Sequence, residues 1–152
     1  MVKWIVARLL QRYWRMTRAL TMGAQGVVLD GDGRVLLVRM TYRAGWCFPG
    51  GGVEKGEHAA DALARELHEE ANVTLKGDAK LFGVYTNFDA FPGDHIALYI
   101  VRDWDQPHLP KPNAEIAECK WFDVDAVPDD AVDAVRARLK EILGDATQTL
   151  TW

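Results

Sequence analysis

The stretch RELHEEAN, residues 65–72, places Glu66, Glu69 and Glu70 at i, i+3 and i+4. On a helix that spacing puts three carboxylates on one face. Like charges so arranged repel by roughly 0.2–0.5 kcal/mol per pair, so the face needs a compensating partner. Ala59, Ala62, Leu63, Leu67 and Ala71 mark an apolar side over residues 58–71, which predicts an amphipathic helix there. Asn72 follows, and asparagine is one of the few residues other than glycine that ends a helix in the left-handed conformation. PGGG at 49–52 precedes the helix and is read as a break in regular structure. A rigid acidic face behind a glycine turn suits a hard divalent cation such as Mg²⁺, which takes oxygen ligands and keeps several waters. Glu57, at the helix start, can add a ligand or cap free N–H groups. A glycine carbonyl can approach the same ion.

Around this segment the pattern alternates. Val2, Ile5, Val6, Leu9, Tyr13 and Met16 recur at helical spacing over residues 2–16, with Arg8, Arg12 and Arg15 on another side. One reading is a helix for a membrane surface or partner. The favoured one packs its apolar side, widened by Trp4, Leu10 and Trp14, on the domain or on a second subunit. Residues 21–30 and 34–40 read as strands joined by DGDG, an opening antiparallel hairpin. Residues 46–48, 80–88, 95–101 and 117–124 are further strands, the run at 95–101 apolar enough to be central. A Pro-rich loop covers 105–114, and a helix from Asp129 to about Leu143 stops at Gly144. Interleaved helices and strands with an antiparallel opening predict an α/β fold, a mixed sheet covered by helices on both sides.

The segment GGVEKGEHAADALARELHEEANV, residues 51–73, resembles the Nudix box, G-x5-E-x7-R-E-U-x-E-E-x-G-U, where U is a bulky aliphatic residue. Gly51, Glu57, Arg65, Glu66, Leu67, Glu69, Glu70 and Val73 fall in place, and only the late glycine departs, as Asn72. The resemblance extends over roughly residues 21–143. It implies a Nudix-type α/β/α sandwich over 21–152, with residues 1–20 as a basic helical extension. It also implies a Mg²⁺-dependent pyrophosphohydrolase, with Mn²⁺ as a substitute, cleaving a nucleoside diphosphate linked to another group and releasing a nucleoside monophosphate. Two competitors are a nucleoside triphosphate pyrophosphohydrolase, oxidised dGTP included, and a non-catalytic nucleotide-binding regulator. By similarity Glu66, Glu69 and Glu70 hold the metal, with Glu57 and the Gly51 carbonyl as further ligands. Arg65 orients the glutamates, and Gly50 and Gly51 border the substrate.

Many family members use one more carboxylate outside the box. Glu115 fits as ligand or general base, against a solvated loop charge, with Glu118 as its competitor. Arg39 is either a phosphate contact or a surface strand residue. Trp46, Phe48, Tyr85, Phe88 and Phe91 supply one or two rings for a nucleobase. The loops at 41–47, 86–94 and 104–114 must decide the substrate.

Charge and cysteine usage narrow the partners. Lys3, Arg8, Arg12, Arg15 and Arg18 put +5 on residues 1–20, so a net charge of −4 leaves −9 on the remainder. That acidic body argues against binding along a nucleic-acid backbone and for a small nucleotide whose phosphates are screened by metal. No apolar run approaches the ~18 residues of a membrane span. Cys47 and Cys119 lack a metal-ligand spacing, which favours reduced thiols and a cytoplasmic protein. The apolar N-terminal helix and open strand edges favour a homodimer.

Overall fold

The computed structural model describes residues 2–152, and the side chains of residues 2–5, 7 and 15 lie outside the described residues. Helix α1 spans Val2–Thr17, strand β1 Thr21–Val28 and β2 Arg34–Met40. Strands β3 (Trp46–Cys47) and β4 (Gly50–Gly52) precede helix α2 (Ala59–Ala71). Then come β5 (Thr74–Leu75), β6 (Lys80–Thr86), β7 (Asp94–Val101), β8 (Trp104–Asp105), β9 (Ile116–Asp123) and α3 (Asp133–Leu143).

The strands form a four-stranded sheet β4-β1-β7-β6, a three-stranded sheet β3-β2-β9 and the pair β5-β8. β1 runs parallel to β7, from Thr21 opposite Asp94 to Val28 opposite Val101, so β7 is an inner strand as its apolar run predicts. The expected opening hairpin holds only at its turn. Leu29 bridges Val35, and beyond that the two strands part into different sheets. The turn itself is built by Asp30, whose carboxylate accepts the N–H groups of Asp32 and Arg34.

Alternation along the strands feeds two apolar layers. Ala24, Val28, Leu36 and Val38 join Leu63 and Leu67 of α2. Val27, Val35 and Leu37 join Val135 and Leu139 of α3 on the opposite side. This is the mixed α/β/α arrangement that the alternating pattern predicts. Helix α2 lies tight on β1 because residue 26 is glycine: a Cβ there would sit 3.1 Å from methyl carbons of Leu63 and Leu67.

Two expectations are corrected. PGGG does not interrupt regular structure, because Gly50–Gly52 pairs antiparallel with Gly23–Gln25. Only glycine allows it, since a Cβ on Gly50 would meet the Ala24 carbonyl at 2.2 Å and Gly50 sits at φ 147°. The described apolar side chains of α1 do not pack on the domain either. Leu9 is 61% and Met16 82% exposed. The remaining members of that expected face, Val2, Trp4 and Ile5, and the basic Lys3 and Arg15, lie outside the described residues.

Residues 148–152 close the structure. Trp152 N–H donates to the Thr86 carbonyl and Thr86 N–H to that of Leu150, each at 2.8 Å. A buried ion pair fastens this run to α3: Arg138 bonds Glu141 at 2.9 Å and the Thr151 carbonyl at 2.7 Å. The Tyr85 hydroxyl donates to Glu141 at 2.8 Å, and burial first, then that carboxylate, push the phenol up to about 12.

Candidate active site

Helix α2 carries its carboxylates between β4 and the loop that leads into β9. It starts without a side-chain cap at His58, and Asp61 in the first turn supplies the acid that favours a helix N-terminus. It ends as Asn72 predicts, at φ 56° and ψ 32°, with Asn72 N–H on His68 O and Val73 N–H on Leu67 O. The Asn72 amide also donates to the His108 carbonyl at 3.0 Å, a contact that glycine could not make.

Arg65 organises the acidic face. Its Nε and Nη2 bond the two oxygens of Glu57 at 2.9 and 3.1 Å, and Nη1 bonds Glu66 at 2.7 Å. Nη2 also reaches the Gly52 carbonyl at 3.1 Å, and Glu69 stands 3.6 Å from Nη1. A planar guanidinium can serve these acceptors together, where an ammonium could not. Hydrogen bonds from Arg65, then from the Glu54 N–H, hold the Glu57 carboxyl below its ordinary range. Glu57 therefore does not cap the helix, and both its oxygens are already engaged by Arg65 and Glu54. Gly51 is needed for a different reason, since a Cβ there would lie 2.5 Å from the Glu66 carboxylate.

Glu70 is the buried member, 5% exposed, and accepts the Gly50 N–H at 2.8 Å. Burial pushes its carboxyl up to about 7, with Glu66 and Glu115 adding to the rise and the Gly50 hydrogen bond and Arg43 opposing it. Glu115 is thus the carboxylate outside the helix within electrostatic reach of this group. Its loop is fixed by Asn113, whose side-chain oxygen accepts the Glu115 and Ile116 N–H groups at 2.8 Å. Glu118 points elsewhere, paired with Lys120 and, at 3.3 Å, with Arg39.

Among the described residues no three acids, histidines or cysteines converge into a ready-made metal cluster. The cause is visible in the contacts. Glu66 leans to Arg65, Glu70 to the Gly50 N–H, and Glu69 stays 58% exposed. The donor set fits a hard divalent ion: every group is an oxygen, and Glu70 places one of the carboxyls in a buried position.

A cavity of about 530 Å³ opens beside β4, lined among others by Gln25, Arg43, Phe48, Asn87, Asp94 and Trp152. Asp94 is fixed by Thr21 at 2.7 Å and Asn87 at 2.9 Å. Trp152 meets Phe48 and Tyr85 edge to face, at 6.5 and 5.7 Å between ring centres. Of the five aromatic candidates only Phe48 lines this cavity. Tyr85 is buried on Glu141, Trp46 lies against Phe122, and Phe88 and Phe91 are exposed. Arg39 is drawn off as well, bonded to Asp130 at 2.7 Å and stacked 4.6 Å over Trp46, while Arg43 takes the place at the cavity. Arg43, Asn87 and Asp94 fall in or beside the loops at 41–47 and 86–94 singled out from sequence, whereas Trp152, beyond the last helix, carried no signal. A cleft of about 620 Å³ is lined by Arg8, Gln11, Arg12, Trp14 and Arg18 of the α1 segment and holds none of these acids.

A glycine strand, an acidic helix and an adjoining cavity thus meet on one side of an α/β/α sandwich. A model of the NUDIX domain matches residues 19–143, and the chain belongs to that family, hydrolases acting on pyrophosphate bonds. A MutT-like protein of Streptomyces ambofaciens is 28% identical over 126 residues, 83% of this chain and 79% of that one. An ADP-ribose pyrophosphatase of Methanocaldococcus jannaschii is 30% identical over 110 residues, 70% of this chain and 64% of the relative. The crystal structure of a MutT NUDIX hydrolase from Burkholderia pseudomallei superposes with a TM-score of 0.68 at 29% identity, covering 80% of this chain and 97% of that one. Nudix hydrolases generally need divalent metal ions.

Proposed function

We propose that this protein is a Mg²⁺-dependent pyrophosphohydrolase that cleaves the diphosphate of a nucleoside diphosphate linked to another group. Water attacks one phosphorus, the P–O–P bridge breaks, and a nucleoside monophosphate and a phosphorylated remainder leave. The observation that carries this reading is buried Glu70, set against the Gly50 N–H with Glu66 and Glu115 in electrostatic reach, next to a cavity of nucleoside size.

Each role follows from position. Glu66, Glu69 and Glu70 would hold the divalent ion, which would neutralise pyrophosphate charge and make water easier to deprotonate. Arg65 keeps Glu66 and Glu69 oriented and ties Glu57 to the helix as a support rather than a ligand. Glu115 accepts the proton of the attacking water. Arg43 pairs with a phosphate, and Gly50 and Gly51 let the backbone approach it. Phe48 and Trp152 flank the nucleobase, and Asn87 and Asp94 meet its polar edge. Two buried, unbridged thiols suit a reducing compartment, which supports a cytoplasmic reaction.

The ADP-ribose pyrophosphatase among the relatives favours the first reading, and the MutT-like relatives favour a nucleoside triphosphate as the second. A substrate panel separates them. It holds nucleoside triphosphates, oxidised dGTP, ADP-ribose, nucleotide sugars, dinucleoside polyphosphates and NADH, each with Mg²⁺ or chelator. Mg²⁺-dependent release of a nucleoside monophosphate is expected, fastest from a diphosphate-linked substrate. Fastest turnover of a triphosphate selects the second reading, and no turnover by folded protein selects a binding role.

A further inference from the structure

Helix α1 presents a face that the domain leaves uncovered. At about 100° per residue, Met16, Leu9, Tyr13, Val6, Leu10 and Trp14 share one arc of about 160°, with Thr17 inside it turning its hydroxyl back onto the Tyr13 carbonyl. All six are exposed. Arg18, Gln11, Arg8 and Arg12 fill the opposite arc. The arginines stand at both borders of the apolar arc: Arg12 is one turn from Met16, and the Arg18 guanidinium lies 5.4 Å from the Trp14 ring. Residues 1–20 contain no acid.

We infer that α1 is an in-plane anchor that seats the protein on an anionic phospholipid surface, with its apolar arc in the acyl boundary and its arginines among the headgroups. Three features on the chain favour lipid. A cationic helix with a sharply divided apolar face is the physical type that lies in a bilayer interface. Trp14 and Tyr13 are the amphipathic rings that headgroup depth accepts. Arginine at each border can lay its methylenes on the apolar side and raise its charge to the phosphates.

A second copy fits the same face less well. Two such helices packed face to face would bring arginine borders together, and neither helix has an acid to pair with them. An RNA strand would use the arginines and leave the apolar arc in water. No helix among the described residues is long and apolar enough to cross a membrane, so the contact is peripheral.

The test is cosedimentation of the full chain with phosphatidylcholine vesicles, with and without phosphatidylglycerol. The expected result is binding to the anionic vesicles alone, weakening as salt rises. The pair Leu9→Glu and Met16→Glu abolishes it. The pair Arg12→Glu and Arg18→Glu weakens it by ~30-fold or more, from the loss and reversal of two headgroup attractions. Far-UV circular dichroism and turnover of a soluble substrate stay at the wild-type level in both pairs, which separates lost docking from lost folding. The inference is overturned by absence of vesicle binding, or by equal binding of the paired variants. It is equally overturned by a lipid-free dimer that Leu9→Glu and Met16→Glu dissociate, or by RNA binding that needs the arginines and not Leu9.

Discussion

Replacing Glu70 by glutamine tests the site without any substrate. In the metal-free protein the Glu70 carboxyl is raised from its ordinary 4.5 to about 7, mainly by burial. The folded state therefore holds this proton more tightly than the unfolded chain. The sign follows: stability contributed by this group is intact below pH 4.5 and is lost progressively as pH rises to about 7. A shift of that size corresponds to at most about 3 kcal/mol of destabilisation above neutral pH. Glutamine keeps an oxygen for the Gly50 N–H and removes the charge. Its extra amide donor needs a partner, which offsets about 1 kcal/mol of the gain. A net gain of about 1–2 kcal/mol moves the melting temperature up by roughly 2–8 °C in a domain of this size. Thermal unfolding in chelator at pH 8 and at pH 5 measures it. The variant melts higher at pH 8 and gains little at pH 5. Adding Mg²⁺ raises the wild-type midpoint and barely moves the variant, whose turnover falls by orders of magnitude. Equal stability of the two proteins at both pH values would refute the buried-charge argument. An undiminished Mg²⁺ response in the variant would refute the metal assignment.

Arg65→Lys keeps the charge but cannot serve Glu57, Glu66 and the Gly52 carbonyl together, so turnover drops ~10–100-fold with a weaker Mg²⁺ titration, read from initial rates. Gly51→Ala puts a methyl against the Glu66 carboxylate, a flexible end that can swing aside; calorimetry should show a midpoint near wild type while turnover collapses. Burial pushes both thiols up, Cys119 to about 12, so Ellman's reagent should find neither in the native protein at pH 8 and two per chain in denaturant.

Helix α2 was legible because its apolar residues recur at helical spacing, strand β2 because a short apolar run follows a strong turn, and Asn72 because few residues tolerate its backbone. The glycine run was misread for a physical reason. Glycine weakens strands in general, yet here the missing Cβ of Gly50 is what permits β4 to approach β1, and that is visible only with β1 in place. The parting of β1 and β2 into separate sheets is likewise set by partners distant in sequence, β7 and β9. Box spacing brought Glu66, Glu69 and Glu70 to one helix face but did not tell that Glu70 is buried on the Gly50 N–H, that Glu66 bonds Arg65 and that Glu69 stays exposed. Glu57 looked free to cap or ligate until Arg65 was seen across two of its oxygens. Arg39 and Arg43 are alike in the sequence, and only Asp130 and Trp46, drawn in from elsewhere, separate them.

The run from Gln148 to Trp152 is a wall of the cavity built on borrowed support. It belongs to no sheet of its own and is held by Thr86 and by the Arg138–Glu141 pair. A ligand that packs on Trp152 can engage only molecules in which this run is seated. Its apparent affinity is the intrinsic one scaled by the seated fraction. Weakening the seat at Glu141, a residue that touches no part of the acidic face, would then read out as a higher KM with kcat preserved. Ligand in turn would protect the amide protons of residues 150–152 from exchange. Exchange at residues 150–152 would then gauge site occupancy without following the reaction.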